Sequence, residues 1–194
     1  MYEEEVLKLL YDRQNKTIKT NRLLLRLFDK SDAEAVTNLC NNYNIFINTL
    51  YLPYPYTLHH ALTWIEHHYD NFIAGKAYEF AVTDKETGEL YGAIALSHNH
   101  SFHQGEMGYW IGEPYWGNGF ATEAAQAIVQ FAFEEKNYHK VFARYFASNP
   151  ASGRVLQKIG MQQEGVLRDH VLKENRFEDL VYYGILKNEM EAIT

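Results

Sequence analysis

The sequence predicts a single α+β domain of about seven strands and four or five helices. Two kinds of periodicity lead there. Apolar residues alternate in short segments, as at Leu23, Leu25 and Leu27, whereas Ala121, Ala124, Ala125, Ile128, Phe131 and Ala132 recur at helical spacing. Three strand-like segments also follow one another between Tyr78 and Ile111, which reads as an antiparallel meander.

Taken in order, Val6, Leu9 and Leu10 share one face of a short helix before the polar RQNKT. Residues 1–15 therefore read as an appendage to a single domain over 16–190. In TNRLLLRLFDKSDAE a strand leads into a helix, with Ser31 and Glu34 at capping-box spacing. Pro53 and Pro55 keep YLPYPYT out of a helix, and Thr57 then caps one long helix carrying Leu58, Ala61, Leu62, Ile65, Tyr69 and Phe72. The meander follows, its first turn ending at Gly88, and then a helix from about Phe120 to Glu135. KVFARYF alternates as a strand. Asn149 as N-cap, Pro150 at the first helical position and Gly160 at the stop bound a further helix. Two last strands flank a turn at Lys173–Arg176, and no repeat or linker interrupts the chain.

Composition narrows the function. A formal charge of −7 argues against broad attachment to nucleic acid or to anionic membrane, so neither is expected as a partner. No apolar run approaches membrane-spanning length, and the acidic start MYEEEVLKLLYDRQ is unlike a secretion signal. Cys40 is the one cysteine and has no partner for a disulfide, which fits a reducing compartment; the expected location is the cytoplasm. Cys40 also lacks an evident activating base and reads as buried filler.

The stretch YWGNGFATEA, Tyr115–Ala124, sets two glycines at the mouth of a helix. Glycine admits backbone conformations closed to other residues and lets a ligand approach the main chain. A helix N-terminus presents unpaired N–H groups and a positive dipole end, so the pair suits a phosphate. A plain glycine turn that starts a helix would look the same. A P-loop is excluded, because no lysine follows the second glycine.

EMGYWIGEPYWGNGFATEAAQAIVQFAFEE and NPASGRVLQKIGMQQEGVLRDHV together resemble the GNAT acetyltransferases, above all the RimJ/RimL-like branch that acetylates N-terminal amines of ribosomal proteins. The resemblance runs from TNRLLLR to VYYGIL. It implies an α+β GNAT fold, a central mixed, mostly antiparallel twisted sheet of about seven strands flanked by helices and splayed between the strands around 106–111 and 140–146, with acetyl-CoA as co-substrate and no metal. Trp116, Gly117, Asn118, Gly119, Phe120 and Ala121 fill the loop that grips the pyrophosphate, Thr122 adds a hydroxyl, and Trp116 stands where a polar residue is usual. Main-chain N–H groups supply most of such a grip, so this departure threatens binding little. By position, Trp110 and Ile111 offer the strand edge to pantetheine, and Asn149 holds the pantetheine arm while also serving as a helix cap. Many relatives place a tyrosine two residues before the lysine of QKIG to protonate the departing thiolate. Leu156 stands there, and Ser152 is the nearest polar substitute. Lys158 or Arg154 meets a CoA phosphate, or is an ordinary solvated helix residue.

The resemblance implies acetyl transfer directly to a primary amine, which must be neutral to attack. At pH 7 deprotonation costs a lysine about 4–5 kcal/mol but an α-amino group only about 1–1.4 kcal/mol. A protein or peptide N-terminus is thus the first choice of acceptor; a small amine (polyamine, amino acid or amino sugar) and an idle acyl-CoA-binding module are the alternatives. Glu106 matches a common position for the base, with His170 or Glu164 as substitutes. Tyr51, Tyr54, Tyr56 and Trp64 wall an acceptor pocket, or else form core or a homodimer contact. His98, His100 and His103 lack a cysteine or carboxylate to complete a metal set, and the pairs His59–His60 and His67–His68 point to different parts of a helix surface.

Overall fold

The computed structural model describes residues 10–191. Three strands come first, β1 (Leu10–Asp12), β2 (Thr17–Lys19) and β3 (Leu23–Leu27), followed by helices α1 (Ala33–Cys40), α2 (Tyr43–Ile47), α3 (Leu58–Ile65) and α4 (His68–Ile73). The meander is β4 (Ala77–Asp84), β5 (Leu90–Ser97) and β6 (Gln104–Ile111). Then come α5 (Phe120–Glu134), β7 (Lys140–Phe146), α6 (Pro150–Lys158), β8 (Gln162–Lys173), β9 (Arg176–Leu186) and α7 (Lys187–Glu191). The strands form one sheet in the order β1-β2-β3-β4-β5-β6-β7-β9-β8.

Each face of the sheet has its own apolar layer, because successive side chains of a strand point to opposite sides. In β4, Phe80 and Val82 join α5, whose Ala125, Ile128, Phe131 and Ala132 are fully buried. Ala81, between them, faces the other way and packs with Val36 and Cys40 of α1 and with Ala61 and Ile65 of α3. Burial pushes the Cys40 thiol up to about 12, so it is inert filler at neutral pH.

The feature that positions the site is a break in pairing. β6 and β7 run parallel and pair only at Gln104–Lys140, Gly105–Val141 and Glu106–Phe142. Beyond that point β6 stays with β5 as far as Ile111, and β7 stays with β9 as far as Phe146. The two strands diverge, and the inner edge of β6 from Met107 to Ile111 is left without a strand partner. Backbone groups on such an edge must be satisfied by something else.

The mixed sheet of about seven strands is present, and Leu10–Asp12 and Thr17–Lys19 form a hairpin that extends it to nine. Three local readings are corrected. Leu10 lies in a strand and not in a helix, while Val6 and Leu9 fall outside the described residues. The long helix from Leu58 to Phe72 is two, α3 and α4, with a turn at Glu66–His67. Ala61, Ile65, His68 and Phe72 are all buried at helical spacing, and that shared face concealed the turn. The capping box lies two residues earlier than Ser31–Glu34, on the 3-10 turn Lys30–Asp32 that leads into α1. Asp29 accepts from the Ser31 N–H, and Asp32, held by a double hydrogen bond from Arg26 at 2.7 and 2.8 Å, accepts from the Asp29 N–H. The five-residue α2 is additional; the Asn42 side chain caps it by accepting from Asn44 and Ile45.

Candidate active site

The divergence of β6 and β7 opens a cavity of about 910 Å³ that reaches from the glycine loop at the start of α5 to the loop before α3. Its cofactor-side half is made largely of main chain. Gly117 and Gly119 have φ of +79° and +81°, the left-handed region that other residues enter only at a cost. A Cβ added at Gly117 would meet nothing within 4 Å, so the space before the loop is open. Gly119 is the N-cap of α5 and provides no side-chain cap, leaving the first-turn N–H groups of Phe120, Ala121 and Thr122 for a ligand. All three line the cavity, with Gly117, Gly119 and Trp116.

Side chains brace this loop from behind. The Trp116 indole N–H donates to the Ile111 carbonyl on the splayed edge, which ties the loop to β6. The Asn118 amide donates to the carbonyls of Tyr115 and Trp116, both at 3.2 Å, and does not line the cavity. The Asn118 carbonyl accepts from Arg22 at 3.0 Å. Arg22 also pairs with Glu123 in the first turn of α5 at 2.7 Å, and Thr20 donates to the same carboxylate at 2.6 Å. That pairing matters electrostatically: Glu123 would otherwise place an unmatched negative charge at the end of the helix that favours an anion.

The opposite wall is β7 and α6. Asn149 caps α6, its side-chain oxygen accepting from the Ser152 N–H at 3.3 Å, and it lines the cavity. Gly153 lets the helix approach Tyr145, whose ring and hydroxyl a Cβ would strike. Ser152, Arg154, Leu156 and Lys158 all line the cavity, so α6 presents two cations to it. The Tyr109 hydroxyl, from the splayed part of β6, lies 2.8 Å from Ser152 Oγ. The residues present fit a co-substrate with a pyrophosphate and an extended arm: open glycines, free first-turn N–H groups, an unpaired strand edge and cations on α6.

Beyond the splay point the cavity changes character. Tyr51, Leu52, Tyr56, His59, His60, Thr63, Trp64 and Trp110 form a wall rich in aromatic rings. Arg144 of β7 is the cation here. Its side chain donates to Glu106 at 2.6 and 3.4 Å and to the Tyr51 hydroxyl at 3.4 Å. Among the described residues no Asp or Glu lines the cavity; Glu106 stands behind Arg144.

Comparison with known proteins agrees with this geometry. The acetyltransferase (GNAT) domain family matches residues 22–162, which is most of the chain. The protein is a GNAT acetyltransferase. It is 31% identical over 176 residues to the uncharacterized N-acetyltransferase p20 of Bacillus licheniformis, covering 89% of this chain and 97% of that protein. It is 30% identical over 109 residues to the [ribosomal protein uS5]-alanine N-acetyltransferase of Escherichia coli, a match covering 55% of this chain and 56% of that one. A solved GNAT acetyltransferase from Bacillus anthracis superposes with a TM-score of 0.79 at 28% identity, covering 89% of this chain and 99% of that chain. This GNAT chain is therefore an acyl-CoA-dependent N-acetyltransferase.

Within the GNAT site, the structure gathers Trp110, Ile111, Trp116, Gly117, Gly119, Phe120, Ala121, Thr122, Asn149, Ser152 and Lys158 around one cavity. Tyr56 and Trp64 reach its other half. Tyr54 does not: its ring packs on Tyr43 and Phe46, 5.6 and 5.5 Å between centroids. Glu164 pairs with Lys140 at 2.6 Å, and neither it nor His170 lines the cavity. Among the described residues no three His, Cys, Asp or Glu side chains are placed to hold a metal, and no helix is long and apolar enough to cross a membrane. Sequence reasoning passed over Arg22, Tyr109 and Arg144. Tyr109 and Arg144 sat in segments read only as strands, and their partners, Ser152 and Glu106, are 43 and 38 residues away.

Proposed function

We propose that this enzyme transfers the acetyl group of acetyl-CoA to the N-terminal α-amine of a protein or peptide. The observation that carries the acceptor class is the charge of the cavity: it is lined by Arg144, Arg154 and Lys158 and, among the described residues, by no carboxylate. A polyamine would bring further positive charges with nothing unpaired to meet them. A peptide N-terminus brings one amine on an extended, largely uncharged chain, which suits a wall of Tyr51, Tyr56, Trp64 and Trp110.

In this reading the pyrophosphate rests on the N–H groups of the Gly117–Thr122 loop, and Lys158 and Arg154 meet the remaining phosphate charge. Asn149 and the edge at Trp110 and Ile111 hold the pantetheine arm. The amine attacks the thioester carbonyl, backbone donors on the splayed edge stabilise the oxyanion, and Ser152 donates to the leaving sulfur. Glu106 takes up the amine's proton through a bridging water, because it stands behind Arg144. An α-amine needs only about 1–1.4 kcal/mol to become neutral at pH 7, against about 4–5 kcal/mol for a lysine, so it asks less of any base.

The test is thiol release from acetyl-CoA across peptides with free N-termini, spermidine, amino acids and amino sugars. We expect kcat/KM for the best peptide to exceed that for spermidine by at least about tenfold, equivalent to ~1.4 kcal/mol in the transition state. Preference for the polyamine or a small amine would overturn the acceptor. Acetyl-CoA binding without acceptor-dependent release would point to an idle binding module.

A further inference from the structure

Leu156, at the position where the resemblance expects tyrosine, is 1% exposed and packs in the core around α5. The structure brings a different tyrosine into the cavity from the opposite wall. Tyr109 leaves β6 two residues past Met107, where the strand has parted from β7, and its side chain crosses to the first turn of α6. There its hydroxyl lies 2.8 Å from Ser152 Oγ and 3.3 Å from the Ser152 carbonyl oxygen. Tyr109 and Ser152 both line the cavity.

A serine hydroxyl carries one proton and turns freely about its C–O bond, so by itself it is a poorly aimed donor. A neighbour that donates into its oxygen changes that, since one lone pair becomes occupied and the proton is left to point elsewhere. Either hydroxyl can be the donor in the 2.8 Å contact, and the one phenol proton also has the Ser152 carbonyl oxygen within reach at 3.3 Å; Tyr109 aims the serine only in the arrangement where its proton goes to Oγ. Burial pushes the Tyr109 phenol up to about 12, with the Ser152 hydrogen bond working the other way and Tyr145 adding to the rise. It therefore keeps its proton at neutral pH. The Ser152 N–H is already committed to the Asn149 side chain, which fixes the backbone from which the hydroxyl projects.

We propose that Tyr109 is a positioning residue for acetyl transfer: its hydroxyl donates to Ser152 Oγ and so aims the serine proton at the departing sulfur. The proposal rests on the reading of Ser152 given above. In the step itself the N–C bond forms and the C–S bond breaks. The electron pair leaves on sulfur, where it accepts the Ser152 hydrogen bond. The proton shed by the amine is the one that balances the thiol on release. Tyr109 neither gains nor loses a proton.

The experiment is a double-mutant cycle on kcat with Tyr109→Phe, Ser152→Ala and the pair, together with acetyl-CoA Kd by calorimetry and thermal Tm. Phenylalanine keeps the ring that packs and removes only the hydroxyl. We expect Tyr109→Phe to lower kcat about 5- to 10-fold with Kd and Tm unchanged, and the double variant to be no slower than Ser152→Ala, because the two act as a unit. Wild-type kcat in Tyr109→Phe beside a slow Ser152→Ala would overturn the role of Tyr109 and leave that of Ser152 standing. Wild-type kcat in Ser152→Ala would remove the reading beneath the proposal. Losses that multiply in the double variant, or a rise in Kd or a fall in Tm that accompanies the loss of kcat, would reduce the Tyr109–Ser152 bond to a structural contact.

Discussion

The two halves of the cavity are built by different means. The half proposed for the co-substrate rests chiefly on main chain within residues 107–122, two left-handed glycines, the first turn of α5 and an unpaired strand edge, with Asn149 and the cations of α6 on the opposite wall. The half proposed for the acceptor is side chain, assembled from α3, the loop before it, β6 and β7. A main-chain site needs particular residues only where side chains must be absent. A side-chain site depends on each residue that projects into it, and on the packing behind them. The cofactor half should therefore fail sharply at a few positions, and the acceptor half should degrade gradually over many.

The largest effect is expected at Gly119. A β-branched residue at a φ of +81° is strained, so Gly119→Val must shift the start of α5 and the N–H groups that point into the cavity. Acetyl-CoA affinity should fall by at least about 30-fold, or ~2 kcal/mol. Gly117→Glu, at +79° and facing open space, should lose affinity through charge as well as strain. Calorimetry on the folded variants checks both; unchanged affinity would mean that the loop is a plain helix start.

Next in size is Glu106→Gln. Removing the proton acceptor should cost about tenfold in kcat/KM at pH 6.5, where an α-amine is mostly protonated, and about twofold at pH 9, where it is mostly neutral. A pH–rate profile that drops by the same factor throughout would assign Glu106 to holding Arg144 and nothing more.

The acceptor wall should respond less. Tyr51→Ala removes an exposed ring whose hydroxyl accepts from Arg144, and we expect acceptor KM to rise about fivefold with acetyl-CoA Kd unchanged. Tyr54→Ala acts only through Tyr43 and Phe46, so its effect on KM should be smaller than that of Tyr51→Ala. Reversal of that order, or a change in sedimentation in place of KM, would move these aromatics from a pocket wall to an interface. The smallest effect belongs to Trp116→Gln, about two- to threefold in acetyl-CoA affinity: the loop loses its indole bond to Ile111 but keeps every N–H that faces the ligand.

Some of this was legible in the residues alone. Gly117, Gly119 and the helix after them declared a glycine turn at a helix mouth, because a helix N-terminus and a left-handed turn are local features written in adjacent residues. Asn149 and Pro150 declared the start of α6 for the same reason, and the alternation of β4 to β6 declared the meander. Other features belong to the tertiary structure. Nothing near Tyr109 announces Ser152, nothing near Arg144 announces Glu106, and the matching of Glu123 by Arg22 spans 101 residues. The turn between α3 and α4 was hidden because the buried face continues through it. Local backbone preference and side-chain period are properties of neighbours in sequence, so the chain determined its elements and its glycine turn by itself. Which side chains share the cavity, and which charges are already matched before a substrate arrives, was decided only when the sheet brought distant strands together and parted two of them.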